Sequence, residues 1–359
     1  MKNECLNGDR NITPYLKSLN EVNSLSYEYG VPKEDVTLIA LNLSGIHYDD
    51  IKNERARFFV KLPSGREYKM AITVTDSSIT NFSYDKGNLL LEDNVVGEIT
   101  RDDADFNVDA YWRDGNNHLT LNSNFKGLCT GCAFCGGSGL KRGESITDES
   151  SMEKKALEFS NKISGFSELN TIGLVTGCFL NEKAVVDHIK MVRRVFSKFG
   201  FEGEIQYIGS QLRSNDAIEE ATSDGKFALY LTLEVFSRRE ILMKPEKASL
   251  TLSKAENILE RVKKSGGDSS FLYIVGLDPF SVIQNELPEF NDVVTRLPQL
   301  QVYQIYKPEQ IYLRNIESSS LDYYMKVRNL TESIFPDLTP RASDNRRGLW
   351  FSEYRGKKI

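Results

Sequence analysis

The chain has 359 residues, of which 40% are hydrophobic and 27% charged, with a formal net charge of −6. These values are typical of a globular protein and argue against a nucleic-acid duplex as the main partner, because duplex binders present a basic surface. The opening residues Met1–Cys5 lead into polar sequence without a signal peptide, and no apolar run is long enough to span a membrane. We therefore expect a cytoplasmic protein with no membrane partner.

Residues 1–115 are expected to form a β-rich accessory region. Five segments carry strand-like apolar or β-branched patterns: Val36–Leu41, Arg57–Leu62, Tyr68–Val74, Leu89–Leu91 and Val95–Val96, of which the last two are expected to add a further hairpin. The second and third flank the turn sequence Pro63–Gly65, which predicts a β-hairpin. No residues in this region form a pattern that indicates site chemistry.

From about residue 116 strand-like and helix-like segments alternate. The strand-like segments are Leu119–Leu121, Thr171–Val175, Ile205–Ile208, Phe227–Leu233, Phe271–Val275 and Val302–Tyr306. The helical patterns are Glu149–Ile163, Glu182–Phe199, Ser214–Ala221, Leu252–Lys264, Val282–Leu297, which Pro288 should break, and Leu321–Phe335. Repeated strand–helix units predict a parallel sheet covered by helices, and a barrel, a partial barrel and a doubly wound sheet all fit. We place this α/β domain at 116–335 and a tail at 336–359.

Three of the five cysteines, Cys129, Cys132 and Cys135, fall within seven residues. Thiols so close cannot bridge one another without strain, but they can converge on one inorganic centre. Cysteine triplets at this spacing are typical of iron–sulfur ligands. Zinc is the alternative, although a structural zinc site normally takes four ligands and no second cysteine pair is present. The triplet follows the first strand of the α/β region, which is where a barrel carries its functional loops.

These features resemble the radical S-adenosylmethionine (radical SAM) superfamily over roughly residues 116–330. The resemblance is carried by Cys129, Cys132 and Cys135, with Phe134 before the last cysteine. The family usually has the spacing CxxxCxxC, whereas this chain has CxxCxxC, with Leu128 where the first cysteine would fall. The shorter spacing also matches the bacterial ferredoxin triplet, so the fourth iron is either open or capped by a protein ligand.

The resemblance implies a partial (β/α)6 TIM-like barrel and a [4Fe–4S] cluster held by the three cysteines. It further implies that the amino and carboxylate groups of SAM occupy the open iron, and that SAM is cleaved reductively to a 5′-deoxyadenosyl radical that abstracts a substrate hydrogen. An external electron donor such as flavodoxin or ferredoxin and a small-molecule or tailoring substrate would be the partners. The sequence leaves the reaction after hydrogen abstraction open.

By the same likeness, several residues would bind SAM. Phe134 would present its backbone to the adenine, Gly276 would flank the adenine, and Gly177 would let the chain pass close to the methionine moiety.

The likeness also concerns charged residues after the fourth strand. Glu234 and one of Arg238 or Arg239 would meet the ribose or the methionine carboxylate and amino groups. The alternative is that these residues bind no ligand, with Glu234 an exposed carboxylate at a strand end and Arg238 and Arg239 a solvated pair.

Cys178, after the second strand, has three interpretations. It is a small buried apolar residue, a hydrogen-atom donor as in some radical epimerases, or a fourth cluster ligand. The last would make the protein a non-catalytic iron–sulfur or zinc protein for electron transfer or scaffolding.

The tail combines arginine and aromatic side chains: Arg346, Arg347, Trp350, Phe351, Tyr354 and Arg355. It would either fold over the barrel mouth and bind an anionic substrate, or pack its aromatic rings on the N-terminal β layer, and we favour the latter.

Overall fold

Residues 17–49, 55–101, 110–113, 117–124, 129, 131–135, 146–163, 165–341 and 347–359 are described in a computed structural model of the chain. Within these ranges the fold is mixed α/β, with a curled parallel half-barrel at its centre. None of the described helices is both long and apolar enough to cross a bilayer.

The half-barrel is built from strands that follow one another in the chain. They are β6 (Ala110–Arg113), β7 (His118–Leu121), β8 (Thr171–Val175), β9 (Glu204–Gly209), β10 (Phe227–Glu234), β11 (Asp268–Val275) and β12 (Gln299–Val302). Their order in the sheet is β12-β11-β10-β9-β8-β7-β6, with β7 to β12 parallel and β6 antiparallel to β7. A doubly wound sheet reverses its strand order at a switch point. Because spatial and chain order agree here, the partial-barrel alternative is the one observed.

The connecting helices largely match the predicted ones. They are α3 (Glu149–Ile163), α4 (Glu182–Ser197), α5 (Asn215–Ser223), the short α6 (Arg239–Leu242) and α7 (Pro245–Ala248), α8 (Leu252–Lys264), α9 (Phe280–Glu286) and α10 (Leu321–Ile334). The predicted break at Pro288 is confirmed, since α9 passes into a 3-10 turn over Leu287–Phe290. The helix predicted to continue to Leu297 is wrong, because residues 291–297 are not helical. Further 3-10 turns cover Pro308–Leu313 and Ile316–Ser319.

The sixth parallel strand was predicted at Val302–Tyr306, and this is wrong, since β12 begins three residues earlier, at Gln299, and ends four residues earlier, at Val302. Gln304 donates from Nε2 to Asn42 Oδ1 at 3.0 Å and to the Ala71 carbonyl at 2.7 Å. After Val302 the chain therefore leaves the sheet and hydrogen-bonds to the N-terminal region, although the alternating apolar pattern of its sequence continues.

The N-terminal region contains two helices and an antiparallel sheet. The elements are α1 (Leu19–Tyr29), α2 (Lys33–Ser44), β1 (Arg55–Lys61), β2 (Glu67–Thr73), β3 (Phe82–Asp85), β4 (Asn88–Leu91) and β5 (Asn94–Arg101). The predicted hairpins β1–β2 and β4–β5 are confirmed. The strand predicted at Val36–Leu41 is wrong, because this run lies in α2, whose residues Asp35 to Ser44 are all buried. A helix buried all round shows no amphipathic period, so an apolar run of six residues does not distinguish it from a strand.

The tail ends in a small hairpin, β13 (Glu353–Tyr354) and β14 (Lys357–Lys358). The favoured packing of its aromatic residues holds for Phe351, whose ring makes an edge contact with Tyr68 of β2 at 6.0 Å between centroids. Trp350 Nε1 donates to Glu332 of α10 instead, at 2.8 Å. The tail thus joins α10 to the N-terminal layer.

Candidate iron–sulfur site at the carboxyl edge of the half-barrel

The cysteine loop follows β7 and lies at the edge where the parallel strands end. Ala133 anchors it on both sides: its N–H donates to the Leu242 carbonyl at 2.9 Å, and its carbonyl accepts from Gln310 Nε2 at 3.1 Å. The Cys135 N–H donates to the Cys132 carbonyl at 3.0 Å, which closes a turn around Phe134. Segments that follow β10 and β12 therefore hold the loop in place.

Phe134 gives the loop an apolar base. It is buried in a small cluster with Val235, Leu242, Met243, Leu277 and Tyr303, and Cys132 packs against this cluster. Burial raises the pKa of the Cys132 thiol. The middle cysteine thus faces a part of the edge from which water is largely excluded.

Cys129 lies beside Cys178, which follows β8. The Cys178 thiol hydrogen-bonds to the Cys129 sulfur, and Lys244 Nζ contacts both, at 3.4 Å from Cys129 Sγ. This bond and the nearby ammonium lower the pKa of Cys129, whereas the pKa of Cys178 is raised because it is the donor. The structure therefore brings a fourth thiol and a cation to the cysteine loop.

Gly177 shapes the approach of Cys178. Its N–H donates to the Asn124 carbonyl at 3.1 Å, and Asn124 Nδ2 donates to the Cys178 carbonyl at 3.1 Å. These two bonds tie the loop after β8 to the residues that follow β7.

A second lysine lies next to the site. Lys247 Nζ is 2.8 Å from Glu234 Oε1, and the two side chains are 16% and 13% exposed. Although burial acts to lower it, the pKa of Lys247 is raised by the Glu234 carboxylate. The Glu234 side chain thus belongs to a largely buried ion pair and is not an exposed carboxylate at a strand end.

Both predicted arginines bind backbone carbonyls. Arg238 donates to the carbonyls of Leu313, at 3.1 Å, and Leu277. Arg239 donates to the carbonyls of Leu233 at 2.9 Å, Val235 and Lys247. Both guanidinium groups cross-link loops of the carboxyl edge, but Arg238 is exposed whereas Arg239 is partly buried, so the solvated alternative fails for Arg239 alone.

Sequence reasoning missed Asp278, which organises the loop after β10. Its buried carboxylate accepts from Phe236 N at 2.8 Å, Ser237 N at 3.1 Å and Tyr273 OH at 2.8 Å. On either side of these donors, Glu234 and Arg238 have positive φ angles of 68° and 51°. Such angles are costly for non-glycine residues and persist only where surrounding bonds impose them.

Gly276 directly follows β11 and has a φ of 121°, and a Cβ there would lie 2.9 Å from Tyr324 OH. The only sequence signal for the missed Asp278 was its place two residues after this glycine. Lys244 and Lys247 gave a weaker signal, as two lysines three residues apart around a proline.

The donor chemistry of these residues fits an iron–sulfur cluster. Three thiols lie on one short loop, Gly131 supplies a φ of 82°, and two ammonium groups are placed to offset thiolate charge. Among the described residues, however, no three His, Cys, Asp or Glu side chains lie close enough to hold a metal ion. Cluster binding therefore requires the three cysteine side chains to come closer together than they lie here.

Comparison with known proteins gives little further information. No protein-family model and no curated protein sequence matches the chain. Among solved structures, the chain is similar to the apo form of OxsB, a cobalamin-dependent S-adenosylmethionine radical enzyme, with 12% identity and a TM-score of 0.33. The match covers 70% of this chain and 36% of OxsB. A likeness of this size does not identify a family.

Proposed function

We propose that the chain is a radical SAM enzyme that reductively cleaves SAM at a [4Fe–4S] cluster and acts on a small molecule or tailoring substrate. One observation carries the proposal: three cysteines lie on the loop after the first strand of a six-stranded parallel half-barrel, at its carboxyl edge. Functional loops of parallel barrels gather at this edge.

In this proposal Cys129, Cys132 and Cys135 hold the cluster. The cluster and SAM, when bound, supply the electron and the radical precursor for hydrogen abstraction. Phe134 and its apolar neighbours keep water away from the reacting groups, which protects a reactive species from side reactions. Lys244 offsets the negative charge of the thiolates.

The proposed SAM contacts fall into two groups. Glu234, oriented by Lys247, is suited to bind the SAM amino group or ribose, because its carboxylate is fixed and partly buried. Gly276 lets the backbone approach the adenine. Arg238 and Arg239 remain proposed contacts, and their present bonds favour a role in holding the loops that surround SAM.

The decisive assay is anaerobic reconstitution with iron and sulfide, reduction with dithionite, and detection of 5′-deoxyadenosine from SAM by mass spectrometry. Wild-type protein should form it, and C132A should neither retain iron nor form it. Electron paramagnetic resonance of the reduced cluster should change when SAM is added. An intact cluster that SAM leaves unperturbed, with no 5′-deoxyadenosine formed, contradicts the proposal.

One observation favours a second candidate, an electron carrier or scaffold with a closed four-thiolate site. The contact between Cys178 and Cys129 puts the thiol needed for a fourth ligand beside the loop. This contact also supports the ligand role of Cys178 over the hydrogen-donor role, because a donor must face the substrate. C178A separates the candidates: iron content falls as far as in C132A if the site is closed, and is retained if the site is open. Metal analysis distinguishes zinc from iron.

A further inference from the structure

Strand β10 ends in two successive irregularities, and Glu234 lies in both. The first is a bulge against β11: Thr232 pairs with Leu272, but Glu234 pairs with the next residue, Tyr273, so β10 has one extra residue here. Bulges change the direction of a side chain and are over-represented beside active sites. The end of β10 is therefore not a regular strand at the point where Glu234 leaves it.

The second irregularity is a tight turn centred on Glu234. The Val235 N–H donates to the Leu233 carbonyl at 2.8 Å, two residues back, and Glu234 has a φ of 68°. A bond of this span around a positive φ is the rare and strained form of the γ-turn. Strain of this kind persists only where the surrounding structure imposes it, and it clusters at ligand sites. It falls here on the residue whose carboxylate the proposed function assigns to SAM.

Arg239 holds the carbonyl side of this turn. Its Nη1 donates to the two carbonyls that flank Glu234, those of Leu233, at 2.9 Å, and Val235. A planar guanidinium group presents its donors in a fixed fork, which a flexible lysine does not. Nη2 donates to the Lys247 carbonyl at 3.1 Å, so the same side chain also binds α7, which carries the partner of Glu234.

Asp278 holds the amide side of the turn. Its carboxylate is 0% exposed and accepts from Phe236 N at 2.8 Å through Oδ2 and from Ser237 N at 3.1 Å through Oδ1. Tyr273 OH also donates to Oδ2, at 2.8 Å, and the rings of Tyr273 and Phe236 stack with 4.4 Å between their centroids. A carboxylate accepts at both oxygens, whereas a side-chain amide accepts at one. Asp278 is therefore matched to two successive backbone amides.

We propose that Asp278, acting with Arg239, is a positioning residue: it imposes the strained turn at Glu234 and so fixes that carboxylate beside Lys247, where it binds SAM. The Glu234 and Lys247 side chains are only 13% and 16% exposed, and they meet at 2.8 Å. A carboxylate held in this way is ordered before the ligand arrives, so binding does not have to order it. The inference rests on the proposed function for one point only, that the ligand of Glu234 is SAM.

A stability cycle on the full-length protein without cluster or SAM tests the positioning itself. K247M should lower the urea midpoint, because it leaves the Glu234 carboxylate largely buried without its cation. D278N replaces an accepting oxygen with a donor and so releases the turn. If Asp278 fixes Glu234, the midpoint shift caused by K247M should fall to about half or less in the D278N background, because the freed carboxylate can reach water. An equal shift in both backgrounds overturns the inference.

Y273F is the matched control, because it removes one bond to the Asp278 carboxylate but leaves both amide bonds and the ring stacking in place. The full K247M shift should persist in this background. If D278N does not fold, R239K gives the same comparison from the carbonyl side, since it keeps the charge and removes the fork. Its outcomes are read in the same way.

The reconstituted protein tests the ligand, with SAM titrated at equal iron content and followed by electron paramagnetic resonance of the reduced cluster. D278N and E234Q should each weaken SAM binding about tenfold or more, as expected when a charged hydrogen bond is misplaced or lost. The double variant should bind no more weakly than E234Q, because Asp278 acts through Glu234. A wild-type affinity in D278N, or an additive loss in the double variant, overturns the inference. A wild-type cluster that SAM leaves unperturbed contradicts the proposed function instead, and the stability cycle still decides the role of Asp278.

Discussion

The buried ion pair between Asp35 and Arg328 joins α2, α10 and the tail, and breaking it should destabilise the whole chain. The two side chains are 0% and 2% exposed, and their atoms approach to 2.6 Å. Asp35 also accepts from Ser352 N at 2.8 Å and Ser352 Oγ at 2.6 Å. Arg328 donates to the carbonyls of Leu349 at 2.8 Å and Glu353 at 2.7 Å.

R328M keeps most of the side-chain volume but leaves the Asp35 carboxylate buried without its cation. Removing one partner of a buried pair costs about 3–5 kcal/mol. At a urea dependence of about 2–3 kcal/mol per molar, the unfolding midpoint should fall by roughly 1–2 M. Circular dichroism at 222 nm in urea measures this shift.

K183M is the matched control, because Lys183 and Asp187 form an exposed pair on α4, with side chains 75% and 55% exposed. A surface pair of this kind contributes less than about 1 kcal/mol, so its midpoint should stay near that of the wild type. If R328M unfolds within 1 kcal/mol of the wild type, the assignment of this pair as the joint between the layers is wrong.

Three further predictions concern single residues. Burial lowers the pKa of His188 to about 4 in the folded protein. Between pH about 6.5 and about 4 the unfolded chain therefore binds more protons than the folded one, and the free energy of unfolding should fall by about 3 kcal/mol as the pH is lowered through this window. H188Q should lack this part of the pH dependence in urea titrations. G276A should lower the unfolding midpoint by the equivalent of about 1–3 kcal/mol, because its φ of 121° and the Tyr324 hydroxyl 2.9 Å away both oppose a Cβ; an unchanged midpoint would contradict this. K244M should raise the pKa of Cys129 and slow its alkylation by iodoacetamide at neutral pH, as followed by peptide mass spectrometry; an equal rate would show that the ammonium does not stabilise the thiolate.

The position of Cys178 changes the balance between the candidate functions. From sequence alone it was most simply a small buried residue, yet it lies in contact with Cys129 and Lys244. The catalytic proposal therefore depends on the C178A experiment more than on any other single variant. If C178A keeps its iron and responds to SAM, the open-site proposal gains its strongest support.

Local sequence was sufficient for the elements whose pattern is set by neighbours in the chain. Strand β8 was predicted with its observed bounds, because short apolar runs between turn signals are typical of strands buried on both faces. Helix α8 was also predicted with its bounds from its amphipathic period, and the structure shows Thr251 as its N-cap. The cysteine loop could be placed after β7 for the same reason.

Tertiary contacts decided what the local pattern could not. Helix α2 is surrounded by protein, so its composition resembled that of a strand, and β12 ends early because Gln304 bonds to α2 and β2. The contact of Cys129 with Cys178 and Lys244 joins loops 49 and 115 residues apart, which meet only because parallel strands end at one edge. The sequence alone thus determined which residues could carry the chemistry, and the packing of the half-barrel decided which of them meet.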